Sequence, residues 1–185
     1  AVSNKAEFLG RVYSEATRKI EENPESEEAC RALQKRFESG DPELMALWEK
    51  TKGWSMDEFR RIYAGLGVTF DEYFFESIEE EAGKKLLPEL LEKGIVEKSD
   101  GAIIANLEKY GLGVLVLVRG DGSALYGLKD IPLAKKKFEN FGIDRSVYVV
   151  DIRQSLYFRQ LFKILELYGF HEKMVYCGYE FVALK

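Results

Sequence analysis

Histidine and cysteine, the side chains that most often bind transition metals, are both scarce in this sequence. The 185 residues hold one histidine, His171, and two cysteines, Cys30 and Cys177, which stand far apart without metal-ligand spacing. We therefore predict no metal site, and we expect two unpaired thiols, free or buried, in a reducing cytoplasm. Because His171 follows Gly169, where a helical pattern ends, we expect an exposed turn histidine there rather than a ligand.

Long apolar runs, an excess of positive charge and phosphate-binding glycine motifs are also missing. The apolar run Val114–Val118 is far too short to cross a bilayer, and no apolar segment follows a basic start, so we expect neither a membrane partner nor a signal peptide. The net charge of −5 argues against a nucleic-acid surface over the whole chain but allows a local basic patch. No Gly-x-Gly-x-x-Gly or phosphate-loop lysine pattern follows a predicted strand. This absence disfavours the nucleotide-binding α/β domains that depend on those motifs.

Helical spacing of apolar residues fills the first third of the chain. Asn23-Pro24 and Asp41-Pro42 each predict an N-cap side chain followed by a proline at the first helical position. Gly53 predicts the end of the helix that begins at residue 42. Ser55 and Glu58 then form a capping box, which predicts a further helix.

The spacing of apolar residues along the sequence changes after these helices. Residues 68–75 are rich in aromatic and β-branched side chains and predict a short strand. Ser77 and Glu80 form a capping box for a helix to about Lys93, which Pro88 should kink or divide. Further strands are predicted over residues 95–97, 102–107, 114–119, 147–151 and 174–184, and helices over 125–141 and 155–168. The apolar strand 147–151 is typical of a buried parallel strand, and the alternation suits half of a doubly wound sheet.

Several short motifs follow one another in a fixed order between residues 45 and 170. They are Trp54-Ser55-Met56, Phe70–Ser77, Asp100-Gly101-Ala102, Arg119–Tyr126, Lys129-Asp130-Ile131, Ala134–Phe138, Tyr148-Val149-Val150, Gln154-Ser155-Leu156 and Gln160–Leu165. In this order they resemble arginyl-tRNA synthetases of class I, archaeal type. One tripeptide would be weakly specific, whereas the ordered set is strongly specific and covers most of the chain.

The resemblance implies an α/β fold class, with part of the Rossmann-like nucleotide-binding fold of class I synthetases, a connective insertion and an N-terminal helical segment. We expect a helical segment over residues 1–66, a small α+β connective insertion over 67–124, and the second half of the Rossmann-like fold over 125–185. The family's His-x-Gly-His motif cannot be present, because it needs two histidines. Its lysine- and serine-rich loop is also absent, so we expect an internal fragment of the catalytic domain.

The family's reaction, as the resemblance implies it, is ATP- and magnesium-dependent activation of arginine followed by transfer to tRNA. Partners would be L-arginine, tRNA through the parent enzyme, and the missing halves of the catalytic domain. We expect no tight cofactor binding, no catalytic residue in this chain, and no aminoacyl-tRNA synthesis by the chain alone. The alternative is a non-catalytic relative or fragment that binds arginine, tRNA or a protein.

Tyr126, Asp130 and Gln154 match family positions that hold the arginine substrate. Tyr126 and Asp130 are four apart on a predicted helix and share a face, and Gln154 follows strand 147–151, where open α/β sheets bind ligands. A guanidinium needs a carboxylate, further acceptors and a flat surface. Spacing alone favours a core Tyr126, an Asp130 paired with Lys129 or Lys135, and a Gln154 that caps the next helix, whereas the resemblance favours substrate binding.

Some positions depart from the family pattern or allow two interpretations. Tyr157 replaces a histidine that lies near the adenylate in the family, so we expect it in the vicinity of the nucleotide. Arg153 would repel a substrate guanidinium unless it points away. Lys129 and the run Lys135–Lys137 are either a solvated helix face or a patch for the tRNA acceptor end, and Gly120-Asp121-Gly122 is either a hairpin turn or an anion-binding nest.

Overall fold

A computed structural model describes residues 4–180 of the chain, apart from the side chain of Pro24. The chain divides into two units, Ala1–Glu72 and Tyr73–Lys185, here called unit 1 and unit 2. The three-part division at residues 66 and 124 stays a prediction. None of the helices between residues 4 and 180 combines the length and the apolar character that a bilayer span requires.

Unit 1 consists of three helices, α1 (Lys5–Glu22), α2 (Pro24–Glu38) and α3 (Pro42–Leu66). The Asn23 side chain accepts a hydrogen bond from the Glu25 N–H, and the Asp41 side chain accepts from the first turn of α3. Gly67 ends α3 in the left-handed conformation, at φ 66°. The two predicted N-caps are therefore confirmed.

The predicted break inside α3 is wrong. The helix runs through Gly53, and the Ser55 hydroxyl donates to the Thr51 carbonyl at 3.3 Å instead of capping a new helix. A glycine weakens a helix but leaves its backbone hydrogen bonds intact, and a serine inside a helix can bond back to the preceding turn. The capping-box pattern at Ser55, which predicts the start of a helix, therefore lies inside the continuous helix α3.

The segment between α3 and the next helix forms no strand, so the strand predicted over residues 68–75 is wrong. Its aromatic side chains pack on helices. The ring centres of Phe70 and Tyr63 lie 4.7 Å apart in an edge-on contact, and those of Phe74 and Phe141 lie 6.0 Å apart. The helix α4 (Glu76–Glu92) then begins directly after Phe75. The capping box at Ser77 is also wrong, because that residue already lies in the first turn, and Pro88 does not divide the helix.

The first β-sheet of unit 2 is an antiparallel meander of β1 (Glu97–Ser99), β2 (Ala102–Asn106) and β3 (Val114–Val118). Its first strand begins two residues later than predicted. After β3 the chain reverses in a turn, in which the Arg119 N–H donates to the Ser123 carbonyl and the Gly122 N–H donates to the Arg119 carbonyl, both at 2.9 Å. The hairpin-turn interpretation of this glycine-rich segment is therefore correct.

The last part of unit 2 is a helix followed by a β-α-β arrangement, in the predicted order. It comprises α5 (Tyr126–Phe141), β4 (Ser146–Asp151), α6 (Ser155–Tyr168) and β5 (Met174–Tyr179). The strands β4 and β5 pair in parallel, with Ser146 opposite Met174. Of the predicted strand 174–184, the last four residues lie outside the described part of the chain.

The strand β4 is parallel as predicted but is buried on one face only. Tyr148 and Val150 pack against the core, whereas Val147 and Val149 remain 52% and 64% exposed. In a doubly wound sheet helices cover both faces. The described residues cover only the face that carries Tyr148 and Val150, so the prediction of a buried strand is correct for that face and wrong for the other.

The hydrophobic core of unit 2 joins α4, the meander, α5 and α6. Its largest fully buried side chains are Leu90, Leu107, Leu117, Leu128, Ile131, Leu161, Ile164 and Leu165. The buried Gln160 of α6 donates to the Leu112 and Val114 carbonyls at 2.7 and 3.3 Å, so it satisfies backbone groups next to β3. These contacts fix α5 and α6 on the meander and thereby position the candidate site.

Candidate functional site

The first turn of α5 is held against β3. The Leu125 N–H donates to the Leu117 carbonyl at 2.9 Å, and a Cβ at position 127 would come within 2.6 Å of the Leu117 side chain. Glycine at 127 is thus needed for this close approach. Tyr126 lies on the outer side of the turn and is 68% exposed, so the alternative of a core tyrosine is wrong.

One turn further along α5, the half-buried Asp130 accepts a hydrogen bond from α6. The Tyr157 hydroxyl donates to Asp130 Oδ2 at 2.5 Å. Lys129 instead pairs with Glu76 and Glu80 of α4, at 2.7 and 3.0 Å. Asp130 therefore has a tyrosine partner rather than the lysine partner that spacing alone suggested.

Lys135, the other lysine considered as a partner of Asp130, also contacts another group. Its ammonium donates to the Tyr168 hydroxyl at 3.3 Å and lies 4.6 Å from the centre of that ring. Both predicted lysine partners are thus engaged elsewhere. Asp130 Oδ1 accepts no hydrogen bond from the part of the chain that the structure describes.

Burial dominates the electrostatics around Asp130. It raises the pKa of the Asp130 carboxyl, although the Tyr157 hydrogen bond and the charge of Lys137 act in the opposite direction. Burial also lowers the pKa of Lys137, whose ammonium lies 4.5 Å from the centre of the Tyr148 ring. Burial raises the pKa of Tyr157, which therefore stays a protonated donor at neutral pH.

Gln154 lies at the carboxyl end of β4, between that strand and α6. It is exposed and occupies the N-cap position of α6, but its side chain accepts no capping hydrogen bond. The capping alternative is therefore wrong. Within residues 4–180, Gln154 makes no hydrogen bond to Tyr126 or Asp130, although it precedes Tyr157 by less than one helical turn.

Arg153 points to its own loop. Its Nε and Nη2 atoms each donate to the Asp151 carboxylate at 2.8 Å, and 81% of its side chain is exposed. This bidentate pair, together with the Arg153 N–H, lowers the pKa of Asp151 to about 2. The expected repulsion between Arg153 and a bound guanidinium is thus reduced by a local carboxylate.

The lysine run on α5 joins helices rather than forming a free surface. Lys136 pairs at 2.7 Å with Glu79, a residue of α4 that is only 4% exposed. Lys129 pairs with α4 as well, and Lys135 contacts α6. The solvated-face interpretation is therefore wrong for these side chains, and a tRNA patch gains no support from them.

Two charged neighbours of Asp130 were not predicted from the sequence. Lys137 lies seven residues after Asp130, and this spacing places both residues on one helix face. Glu76 approaches α5 through Lys129, and its charge raises the pKa of Asp130. The helical spacing could have identified Lys137, whereas Glu76 becomes a neighbour only when α4 packs on α5.

Comparisons with known proteins agree on one family. Residues 1–181 match the family described as tRNA synthetases class I (R), catalytic domain. A curated arginine–tRNA ligase of Bdellovibrio bacteriovorus is 39% identical over 176 residues, which is 92% of this chain and 30% of the relative. Another, from Halothermothrix orenii, is 39% identical over 166 residues, which is 90% of this chain and 29% of the relative.

A solved arginyl-tRNA synthetase structure resembles the fold of this chain. The arginyl-tRNA synthetase of Plasmodium falciparum superposes with a TM-score of 0.75 at 22% identity, over 88% of this chain and 29% of that one. At this identity the likeness concerns the fold alone. The chain thus spans about 30% of the length of the curated relatives that it matches.

Proposed function

The chain belongs to the family of class I arginyl-tRNA synthetase catalytic domains, and we propose that it supplies the arginine side-chain pocket of an arginine–tRNA ligase. Its α/β fold class, with part of a Rossmann-like fold, is confirmed by the family match and the structural likeness. Membership of this family implies the use of ATP. The activation of arginine and its transfer to tRNA are part of the proposal, and they concern the whole ligase.

The half-buried Asp130 is the observation that carries the proposal. Its Oδ2 accepts from Tyr157, while Oδ1 can accept an N–H from a ligand. The guanidinium of arginine is planar, always charged, and suited to a carboxylate. A carboxylate that is partly withdrawn from water attracts such a cation more strongly than an exposed one does.

Tyr126 and Gln154 complete the proposed pocket. Tyr126 exposes its ring one helical turn before Asp130, where a planar guanidinium can stack on it. The side-chain oxygen of Gln154 is an additional acceptor at the carboxyl end of β4, the edge at which open α/β sheets bind ligands. Lysine carries a compact ammonium group in place of the planar fork, so we expect the pocket to prefer arginine.

The nucleotide side of the reaction rests on the family alone. The vicinity of Tyr157 to the nucleotide stays a prediction. The side chains of residues 4–180 contain no group of three or more His, Cys, Asp and Glu that could hold a metal ion. No role proposed for the pocket depends on a magnesium ion.

The remaining halves of the catalytic domain are the proposed partner of the bare face of β4 and β5. That face carries Val147 and Val149 on β4, and Tyr179 on β5 is 54% exposed. Exposed valines on a parallel strand are unusual, since parallel sheets are covered on both faces. The curated relative is about three times as long as the matched segment, so a full-length ligase has enough further sequence to cover these valines.

The free thiols Cys30 and Cys177 suit a reducing cytoplasm.

Calorimetric titration of the chain with L-arginine and with L-lysine tests the proposal. We expect arginine to bind at least about tenfold more tightly than lysine. Asp130→Asn preserves the size of the side chain and an acceptor for Tyr157, yet it removes the charge, so arginine affinity should fall by at least about tenfold.

Asp144→Asn is the matched control, because Asp144 is an exposed carboxylate in the loop after α5. This variant should bind arginine as the unchanged chain does. The proposal is wrong for this chain if arginine and lysine bind equally, if neither binds, or if Asp130→Asn retains full affinity.

A further inference from the structure

We propose that Tyr157 is a positioning residue for Asp130, whose hydroxyl holds one carboxylate oxygen so that the other is presented to the guanidinium of arginine. This role differs from the nucleotide contact that the family resemblance implies for position 157. It deepens the proposed function, since it assumes that Asp130 receives arginine. The contact itself can be tested without arginine.

The geometry links the two helices that form the pocket. Tyr157 lies in the first turn of α6, packs edge-on against Phe158 at 5.1 Å, and reaches across to Asp130 on α5. An aspartate carboxylate otherwise rotates broadly about its Cβ–Cγ bond. A hydrogen bond from a packed tyrosine restricts that rotation before the ligand arrives, which reduces the ordering that binding requires.

A neutral donor has a further advantage at this position. A tyrosine hydroxyl orients the carboxylate without neutralising it, and burial keeps the pKa of Tyr157 above its ordinary value. The histidine that the family resemblance leads one to expect here can become positively charged near neutral pH. It would then compete with the substrate cation for Asp130, whereas the tyrosine does not.

Other ionisable groups around Asp130 are unchanged by substitution of Tyr157. Lys129 and Lys137 on α5 lower its pKa, and Glu76 on α4 raises it. From β4, the Tyr148 hydroxyl is influenced by the charge of Asp130. Removal of the Tyr157 hydroxyl alone should therefore raise the pKa of Asp130, because it removes the group that most strongly lowers it.

The test compares Tyr157→Phe with Tyr168→Phe in the full chain. Tyr168 is a matched control at the other end of α6, where its hydroxyl donates to Glu89 at 2.9 Å. The Asp130 pKa is measured from its ¹³C carboxyl shift, and arginine affinity is measured by calorimetry from about pH 5 to about pH 8. We expect Tyr157→Phe to raise the Asp130 pKa and to weaken arginine binding about tenfold at neutral pH, and we expect Tyr168→Phe to change neither.

A second variant covers the case in which Tyr157→Phe folds poorly. Tyr157→His supplies an N–H donor, so it should bind arginine more tightly than the Phe variant above about pH 7 and lose affinity below it, as the imidazole gains charge. An Asp130 pKa that is the same in all three variants and the unchanged chain overturns the positioning role. If the unchanged chain binds no arginine, the proposed pocket fails, and the carboxyl titration still decides the role of Tyr157.

Discussion

Arg153 shows at the residue scale how a local partner changes the effect of a charge. By sequence it stands beside Gln154 and should repel a cationic substrate. In the structure its guanidinium is bound in bidentate fashion by Asp151, two residues earlier, and its side chain is largely exposed to solvent. Solvent and the Asp151 carboxylate both weaken its field at the pocket.

We predict that Arg153→Ala changes arginine affinity by less than about twofold, because an exposed and paired charge contributes little at a distance. The Asp151 pKa, held at about 2, should rise towards its ordinary value. Since that pKa is lowered in the folded chain, the pair stabilises the fold above the unfolded pKa of about 3.9 and loses this effect as the pH falls towards 2. Calorimetry and ¹³C carboxyl titration measure both effects, and an affinity change of tenfold or more would contradict the prediction.

Asp130 should reduce stability while it serves binding. Burial raises its pKa, so the ionised carboxylate is less favourable in the folded chain than in the unfolded one. Its ionisation therefore lowers the free energy of unfolding as the pH rises from the unfolded pKa of about 3.9 through the raised folded pKa.

Asp130→Asn is accordingly predicted to be more stable than the unchanged chain at neutral pH, by a margin that shrinks as the pH falls to about 4. Urea unfolding followed by circular dichroism over this range measures the margin. A variant that is less stable at neutral pH, or whose margin does not depend on pH, would show that the carboxylate contributes to folding.

At the scale of elements, the features that could be predicted from sequence are those determined by local chemistry. Asn23 and Asp41 cap helices because each side chain meets an N–H only two or three residues away. The same local argument fails at Ser55. Its capping-box pattern can begin a helix, but here the helix α3 continues through it. The pattern identifies residues that are able to cap, but packing decides where a helix starts.

The candidate site was predictable in part for a related reason. Tyr126 and Asp130 follow from helical spacing together with the family resemblance. The bond between Tyr157 and Asp130 spans 27 residues and that between Lys129 and Glu76 spans 53. Such pairs form only when α5 packs on α6 and on α4, and neither spacing nor composition of the sequence identifies that packing.

The contact between α4 and α5 depends on a glycine. A Cβ at position 83 would lie 2.3 Å from the Leu128 carbonyl oxygen, a backbone atom that cannot move unless the helices separate. We predict that Gly83→Ala destabilises the chain by about 1–2 kcal/mol, since overpacking of about 1–3 kcal/mol exceeds the gain in helix propensity of up to about 1 kcal/mol.

Gly53→Ala is the matched control for this prediction. Gly53 lies inside α3 with no neighbouring atom within 4 Å of an added Cβ, so the substitution should raise local stability by about 0.5–1 kcal/mol. Urea unfolding followed by circular dichroism compares the two variants. If Gly83→Ala also stabilised the chain, α4 and α5 would not be packed as closely as the structure shows.

At the scale of the whole molecule, hydrophobic burial differs between the two units. The buried apolar side chains found in residues 4–180 all belong to unit 2. In unit 1, α3 has no buried residue, and Phe59, Ile62 and Leu66 are 47%, 41% and 70% exposed. Burial of apolar area is the main stabilising contribution to a fold, so unit 2 should resist unfolding more strongly than unit 1.

Amide hydrogen exchange in α3 and α6 separates this effect from local helix stability. Local factors favour α3, which has 25 residues and a side-chain N-cap from Asp41, whereas α6 has 14 residues and no side-chain N-cap. Both helices end at a left-handed glycine, so their C-caps do not distinguish them. Burial favours α6, which contributes Phe158, Gln160, Leu161, Ile164 and Leu165 to the interior. Because packing usually outweighs propensity, we predict that the central amides of α6 exchange at least about 100-fold more slowly than those of α3. Equal or slower exchange in α3 would mean that its exposed apolar side chains are covered in solution.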